Sequence, residues 1–418
     1  MRTTIFLASF ALLAFPTAAL ANGYDVPNVN PRDLAMSGAA VAAQSDAAAT
    51  YALPAALSRM EGLDLSLTGG LLELHTTWKA PDGSSMAGSP DASTKFHPAY
   101  PLSLFASYGT TLAGHGAGVG LGMNIPAGGN MYWPDDWSGR GRIITVNRRL
   151  YGFYWNVAYE LIPQIRIGGG LNYIYATEYL KQGIQPSPDG YGEVSASGGG
   201  FGFQASGEFK PTARLPLTIG IDYKHKVRMN LTGNAHFVVP DSLLQPGTAA
   251  APVDQGVTHE LTYPNTLNVG VAYRVVKPLL LTGTYTFNRY SVYGQDVFQG
   301  DKGTTITVTR NYSNGYTFRL GAEYTLRERL ALRVGALRDI SGLDVKYYSP
   351  TLPDANTWAA SAGVGYAIGY NLAVNAAFFY AWMDRIEQTG TLELPGIYDT
   401  RVYILSASVE WRLPLGSR

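Results

Sequence analysis

Apolar and polar residues alternate along the stretch from 217 to 223: Leu217, Ile219, Ile221 and Tyr223 share one face, while Thr218, Gly220 and Asp222, followed by Lys224, Lys226 and Arg228, share the other. A period of two is that of a β-strand, and a strand with one face for lipid and one for water suits a membrane barrel. One such strand suits a soluble sandwich equally well, so the pattern carries weight only by recurring. Tyr151, Phe153, Trp155, Val157 and Tyr159 stand against Gly152, Tyr154, Asn156 and Glu160, and Ile165, Ile167, Leu171, Tyr173 and Tyr175 stand against Arg166, Gly168, Gly170 and Asn172. Leu267, Val269, Val271 and Tyr273 oppose Asn268, Gly270 and Arg274; Tyr316, Phe318, Leu320 and Tyr324 oppose Arg319, Gly321 and Glu323. Near the end, Tyr403, Leu405, Val409 and Trp411 oppose Ser406, Ser408, Glu410 and Arg412. The apolar faces tend to finish in Tyr or Trp, as an interfacial aromatic girdle does.

Such segments number about fourteen between Leu63 and Leu413, each of a length suited to a tilted membrane strand. Tight joins at 160–164, 210–214, 276–278, 326–329 and 369–371 alternate with long ones at 81–94, 127–144, 181–193, 237–256, 345–355 and 388–399. That is the layout of an up-and-down barrel with short periplasmic turns and longer external loops. The fold predicted is an all-β membrane protein, an antiparallel outer-membrane barrel built by residues 61–418. One stretch departs from it. Residues 37–57 are rich in Ala, which favours helix but carries too little apolar bulk to build a core. Residues 22–60 are therefore read as a partly helical plug enclosed by the barrel. Gly114, Gly116, Gly118, Gly120 and Gly122 recur at every second position and leave one strand face bare. They predict a wall that bends there with the plug resting on it, the other reading being a flexible loop or tight corner.

Residues 1–21 have a basic start, Met1-Arg2, an apolar run from Ile5 to Leu13 and a small-residue end, Ala19-Leu20-Ala21. This is the form of a secretory signal peptide cut before Asn22, and the apolar run is too short for a membrane anchor. Gly 48, Tyr 28, Trp 7 and a charged fraction of only 15% agree with a barrel, and the absence of Cys suits an exported chain without disulfides. A formal net charge of zero points to no nucleic-acid partner.

The six histidines, His75, His97, His115, His225, His236 and His259, form no i, i+4 pair, so no metal site and no cofactor is predicted. No nucleophile elbow or phosphate loop is present. The chain is read as not an enzyme, although a Ser and a His from separate strands could still meet in space. Asp135-Asp136 is read as a loop turn, since calcium wants six or more oxygens.

Ala35-Met36-Ser37-Gly38-Ala39-Ala40, then Ser45-Asp46-Ala47-Ala48-Ala49-Thr50 leading into Leu53-Pro54-Ala55-Ala56-Leu57, resemble the hatch of the FadL family of outer-membrane transporters for long-chain fatty acids and other hydrophobic compounds, which includes the aromatic-hydrocarbon channels. The segments 132–140, 263–274, 352–358 and 361–363 extend the likeness over essentially the whole mature chain. The resemblance implies a fourteen-stranded barrel closed by an N-terminal hatch. The ligand is captured at the external loops, moves to an apolar interior site and leaves sideways through a gap near a kinked third strand. It also implies a monomer set among outer-membrane lipids and lipopolysaccharide and inserted by the barrel-assembly machinery. Two features depart from the family: Leu53 stands where an Asn is usual, and the chain runs past Trp411 to Arg418 instead of stopping on an aromatic.

Tyr132, Trp133 and Trp137 are the expected capture surface, because amphipathic aromatics tolerate both water and ligand; their other reading is girdle or loop packing. A carboxylate inside would need a cation, and Arg166, Lys224, Arg274 and Arg319 face inward, with pairing to neighbouring acids as the alternative. Leu53, Pro54 and Ala55 are the expected hatch contacts, with Pro54 seated on the glycine strand, and Gly116, Gly118 and Gly120 are expected at the lateral gate. A general diffusion porin for small hydrophilic solutes and a structural or adhesin barrel are the competing readings.

Overall fold

The computed structural model describes residues 29–413 apart from 213, 244–251, 293, 304, 370, 391 and 392; the expected signal peptide, residues 22–28 of the expected hatch and residues 414–418 lie outside the described residues. Fourteen antiparallel strands close into a barrel. They are β1 (Gly62–Lys79), β2 (Leu102–Leu112, with an upper piece Ala92–Ser93), β3 (His115–Tyr132), β4 (Thr145–Ile162), β5 (Ile165–Gly183), β6 (Tyr191–Phe209) and β7 (Leu217–Lys224 and Val227–Val238). Then follow β8 (Gln255–Tyr263 and Thr266–Val276), β9 (Leu279–Asn288 and Gln295–Gly300), β10 (Thr305–Thr309 and Gly315–Leu326), β11 (Leu330–Ile340), β12 (Thr357–Ile368), β13 (Leu372–Met383 and Ile386–Gln388) and β14 (Gly396–Leu413). The upper pieces of β9 and β10 form a hairpin that the loop pattern did not announce.

The alternation holds in space. Trp155, Val157, Leu171, Leu320, Leu405 and Val409 are exposed on the outer face, while Asn156, Asn172, Arg166, Ser406 and Ser408 are buried within. β7 departs from the predicted pattern. Its ladder is interrupted at His225-Lys226, and beyond that point Val227, Met229 and Leu231 are buried while Arg228 is exposed. One extra residue inverts every later side chain in a strand, so Arg228 points out rather than into the lumen as the uninterrupted pattern implied.

Residues 29–61 lie inside the cylinder, with α1 (Pro31–Leu34), α2 (Ala49–Ala52) and two short 3-10 turns, Val41–Ala43 and Pro54–Arg59. Asn30 Oδ1 accepts the Asp33 N–H at 2.7 Å, and Pro31 sits where no N–H is needed. Helices this short are not stable alone; the wall holds them. Arg32 grips Glu323 with Nε and Nη2 at 2.8 and 3.1 Å, and Arg333 holds the same carboxylate at 2.7 Å. Asn156 and Gln204 donate to the carbonyls of Thr50 and Tyr51 at 2.7 Å, Ser361 and Thr284 to those of Ala35 and Ala39 at 2.9 Å, and Ala55 N–H donates to Ser206 Oγ at 2.8 Å.

The wall makes room by omitting side chains. Gly116 and Gly118 lie under Ser58 and Leu57, Gly120 under Thr50, Gly168 under Pro54 and Ala55, Gly220 under Leu53, Gly270 under Ala42, Gly321 and Gly335 under Met36, and Gly363 under Ala35. The bare surface is thus a belt around the barrel rather than the single stripe read from β3. Gly114 is not part of it, since it occupies the β2–β3 turn at φ +83°, and Gly122 faces the Phe105 ring. Pro54 sits over Gly168 of β5, not on β3. A Cβ at Gly335 would meet the backbone of Met36 and Ser37, so Gly335→Val is expected to cost about 1–3 kcal/mol of docking. Limited proteolysis of folded protein checks this: the N-terminal segment should be cut severalfold faster while the barrel stays intact.

Candidate functional site

Starting from the turn, β2 and β3 pair from Leu112–His115 up to Leu104–Met123, and there the ladder stops. Contact resumes where Lys95 N–H donates to Tyr132 O at 2.7 Å. Between these points no backbone hydrogen bond joins residues 96–103 to residues 124–131 among the described residues, a stretch of roughly 25–30 Å at about 3.3 Å per residue. The cause is local. Pro98, Pro101 and Pro126 have no N–H to offer a ladder, and β3 bulges against β4 between Asn124 and Ala127. β1 keeps its hold on the β2 chain, through Gly70 N–H to Pro101 O at 2.9 Å and the reciprocal Leu72–Ala99 bonds at 2.8 Å. The irregular point of the third strand is therefore Asn124–Ala127, above the glycine stripe where a bend was expected.

A cavity of about 80 Å³ reaches the break at Ala127 of β3; it is lined otherwise by Val29, Asp33, Gly38, Val41, Tyr51 and Ala52 of the N-terminal segment and by wall residues that include Lys224, Asn268, Thr286 and Arg319. Two of the four inward cations meet here. Lys224 Nζ lies 2.5 Å from Asp222 Oδ2 and 4.3 Å over the Tyr51 ring. The Arg319 guanidinium donates to Thr286 Oγ1 and pairs with no carboxylate among the described residues. Burial pushes the Asp33 carboxyl above its ordinary range, against the Ala40 N–H and the Arg319 charge, which favour the ionised form. A dry cavity of about 150 Å³ takes a benzene ring; this one is about half that size. Elsewhere in the lumen, Phe105, Leu150, Tyr154, Ile174 and Leu261 belong to one continuous apolar cluster.

The other expected contacts lie elsewhere. Arg166 is near the short turns and is neutralised by Glu160 and Glu208. Arg274 is exposed, donates to Lys277 O at 3.0 Å, and lines a wide polar mouth of about 780 Å³ with Arg59, Lys210 and Arg412. Trp133 and Trp137 are only 1% and 4% exposed, stacked at 4.1 Å, with Trp78 edge-on to Trp137 at 5.8 Å. Both are buried among the outer segments rather than exposed as the capture surface expected of them. Tyr132 is half-buried against His97 at 4.0 Å, at the top of the break. Leu53 is fully buried over Gly220. In the Asp135-Asp136 turn, Asp135 O accepts from Arg140 Nε at 2.8 Å.

Sequence reasoning missed a buried chain of charges in the upper lumen. Arg148 binds Glu178; His259 stands 3.8 Å from Glu178 and 3.3 Å from Asp296; and Arg310 Nε reaches Asp296 at 3.1 Å. Its members come from five regions of sequence, so only the register assembles them. The resemblance implied a gap near a kinked third strand without saying where along it; Pro98, Pro101 and Pro126 were legible in the sequence as interruptions of strand pairing.

The family model described as outer membrane protein transport protein (OMPP1/FadL/TodX) matches residues 12–412. A protein of Neisseria meningitidis serogroup B named as an outer membrane protein is 24% identical over 419 residues, covering 90% of this chain and 89% of that one. Among solved structures, a Pseudomonas aeruginosa FadL homologue superposes with a TM-score of 0.81 at 18% identity, covering 93% of this chain and 99% of the other. The Pseudomonas putida toluene transporter TodX gives a TM-score of 0.72 at 14% identity, over 93% and 98% of the two chains. At these identities the structural likeness is one of fold.

Proposed function

We propose, since the chain belongs to the family of outer membrane transport proteins (OMPP1/FadL/TodX), that it takes up long-chain fatty acids or aromatic hydrocarbons passively and releases them sideways through its wall. The family's members are transport channels for hydrophobic compounds rather than enzymes. The observation that carries the finer reading is the open ladder between β2 and β3, whose bulged residue Ala127 also lines an interior cavity that the N-terminal segment helps to form.

A hydrophobic molecule crosses the polar outer surface of the membrane poorly, and each CH₂ it buries contributes about 0.8 kcal/mol. The apolar cluster that includes Phe105, Leu150, Tyr154, Ile174 and Leu261 supplies that burial. Residues 29–60 act as the hatch: a shift of the Tyr51–Leu53 region enlarges the cavity, Pro54 and Ala55 stay seated on β5 and β6, and Gly116, Gly118 and Gly120 give Leu57 and Ser58 a smooth surface to move along. The guest then leaves past Ala127. The porin reading needs a wide polar lumen, and the seated hatch fills that space.

Expression in cells lacking other such channels should raise uptake of labelled oleate and of toluene. Uptake of a small sugar without either lipophile would sink the reading in favour of the porin. Arg319→Ala separates the cargo classes. Because a charged hydrogen bond is worth about 1.5–3 kcal/mol, oleate uptake should drop about tenfold or more while toluene uptake changes less than about twofold.

A further inference from the structure

Two asparagine amides stand at the break with unbonded polar atoms. Asn124, the first β3 residue beyond the last β2 rung, is 1% exposed and its Oδ1 has no hydrogen-bond partner. Asn130 is 6% exposed, and both its Oδ1 and its Nδ2 are without a partner. They lie on opposite sides of the wall. Asn124 pairs across with Gly152 on the luminal face, and the bulge shifts the parity so that Asn130 falls on the outer face opposite Asn147. Two residues further on, the β2 chain returns to β3, with His97 against the Tyr132 ring at 4.0 Å and Lys95 N–H bonded to Tyr132 O.

Buried amides are almost always bonded, and an apolar transport wall has no structural use for two that are not. An amide with oxygen and nitrogen both free matches a group that donates and accepts at once. A hydroxyl or an un-ionised carboxyl does so; a hydrocarbon does neither. We propose that Asn124 and Asn130 are successive docking points for the hydroxyl or un-ionised carboxyl of an amphipathic cargo as it passes from lumen to wall. They make the protein favour such cargo over a hydrocarbon of equal length. A site built to hydrogen-bond a polar group discriminates strongly against the analogue that lacks it. The inference rests on the lateral-transport reading above.

The test is uptake of 1-decanol and decane, measured side by side in cells lacking other such channels. In Asn130→Leu the decanol-to-decane ratio should fall about five- to tenfold with decane uptake unchanged; Asn124→Val should lower it in the same direction, and Asn130→Gln, which keeps an amide, should hold the ratio near wild type. An unchanged ratio in both apolar variants, including an equal loss of the two compounds, overturns the assignment and leaves the amides a structural or water-bound role. If neither compound depends on the wild-type protein, it is the transport reading that fails.

Discussion

Tying β2 to β3 across the break should stop lipophile uptake and leave the barrel assembled. Continuing the register past Leu104–Met123 sets Leu102 opposite Ile125, and the chain has no Cys of its own, so Leu102→Cys with Ile125→Cys allows a single defined cross-link. Oxidation, or a short thiol-bridging reagent, should lower oleate and toluene uptake at least about tenfold, because the cross-link pins the two strands together at the foot of the break, beside Ala127 where the guest leaves. Reductant should restore it for the disulfide form. Unimpaired uptake by fully cross-linked protein would move the exit to the polar mouth near Arg59, Lys210, Arg274 and Arg412.

Deleting residues 29–59 should have the opposite kind of effect. Asn156, Gln204, Thr284 and Ser361 would lose their bonds to the segment, and water would take its place against a polar inner ring. Eight-stranded barrels are filled by side chains and sixteen-stranded ones hold aqueous channels; fourteen strands with a glycine belt and no hatch belong with the second kind. Small hydrophilic solutes should enter at least about ten times faster, and sensitivity to large hydrophilic antibiotics should rise. A barrel that assembles without the segment and stays tight to such solutes would show that the outer loops, not the hatch, form the seal.

What could be read from the sequence was whatever repeats within one strand. Trp155, Leu171 and Leu320 had to alternate with polar neighbours because lipid lies on one side only, so the barrel and its outward face were legible. The Ala-rich segment was legible because it breaks that rhythm. The glycine belt was visible only in β3, where three members lie two apart; Gly168, Gly220, Gly270, Gly335 and Gly363 come one to a strand and signify nothing until the strands are aligned. Lys224 and Arg319 could be assigned an inward face, but their shared cavity depends on the fold of a segment with which they have no sequence relation. Trp133 and Trp137 of the 127–144 segment were read as a capture surface because amphipathic rings suit an open mouth and a packed cover equally, and the contacts that bury them, such as Trp78 of β1, are distant in sequence.

The seventeen rungs from Leu63–Leu413 to Lys79–Ile397 join the first strand to the last, so the cylinder can be sewn shut only after the whole chain has been delivered. A stopper bonded to strands on every side cannot be threaded in afterwards through a lumen already crowded with side chains. The N-terminal segment must therefore wait, docked on an unfinished sheet, until β14 arrives, and its burial becomes part of the driving force for closing the seam.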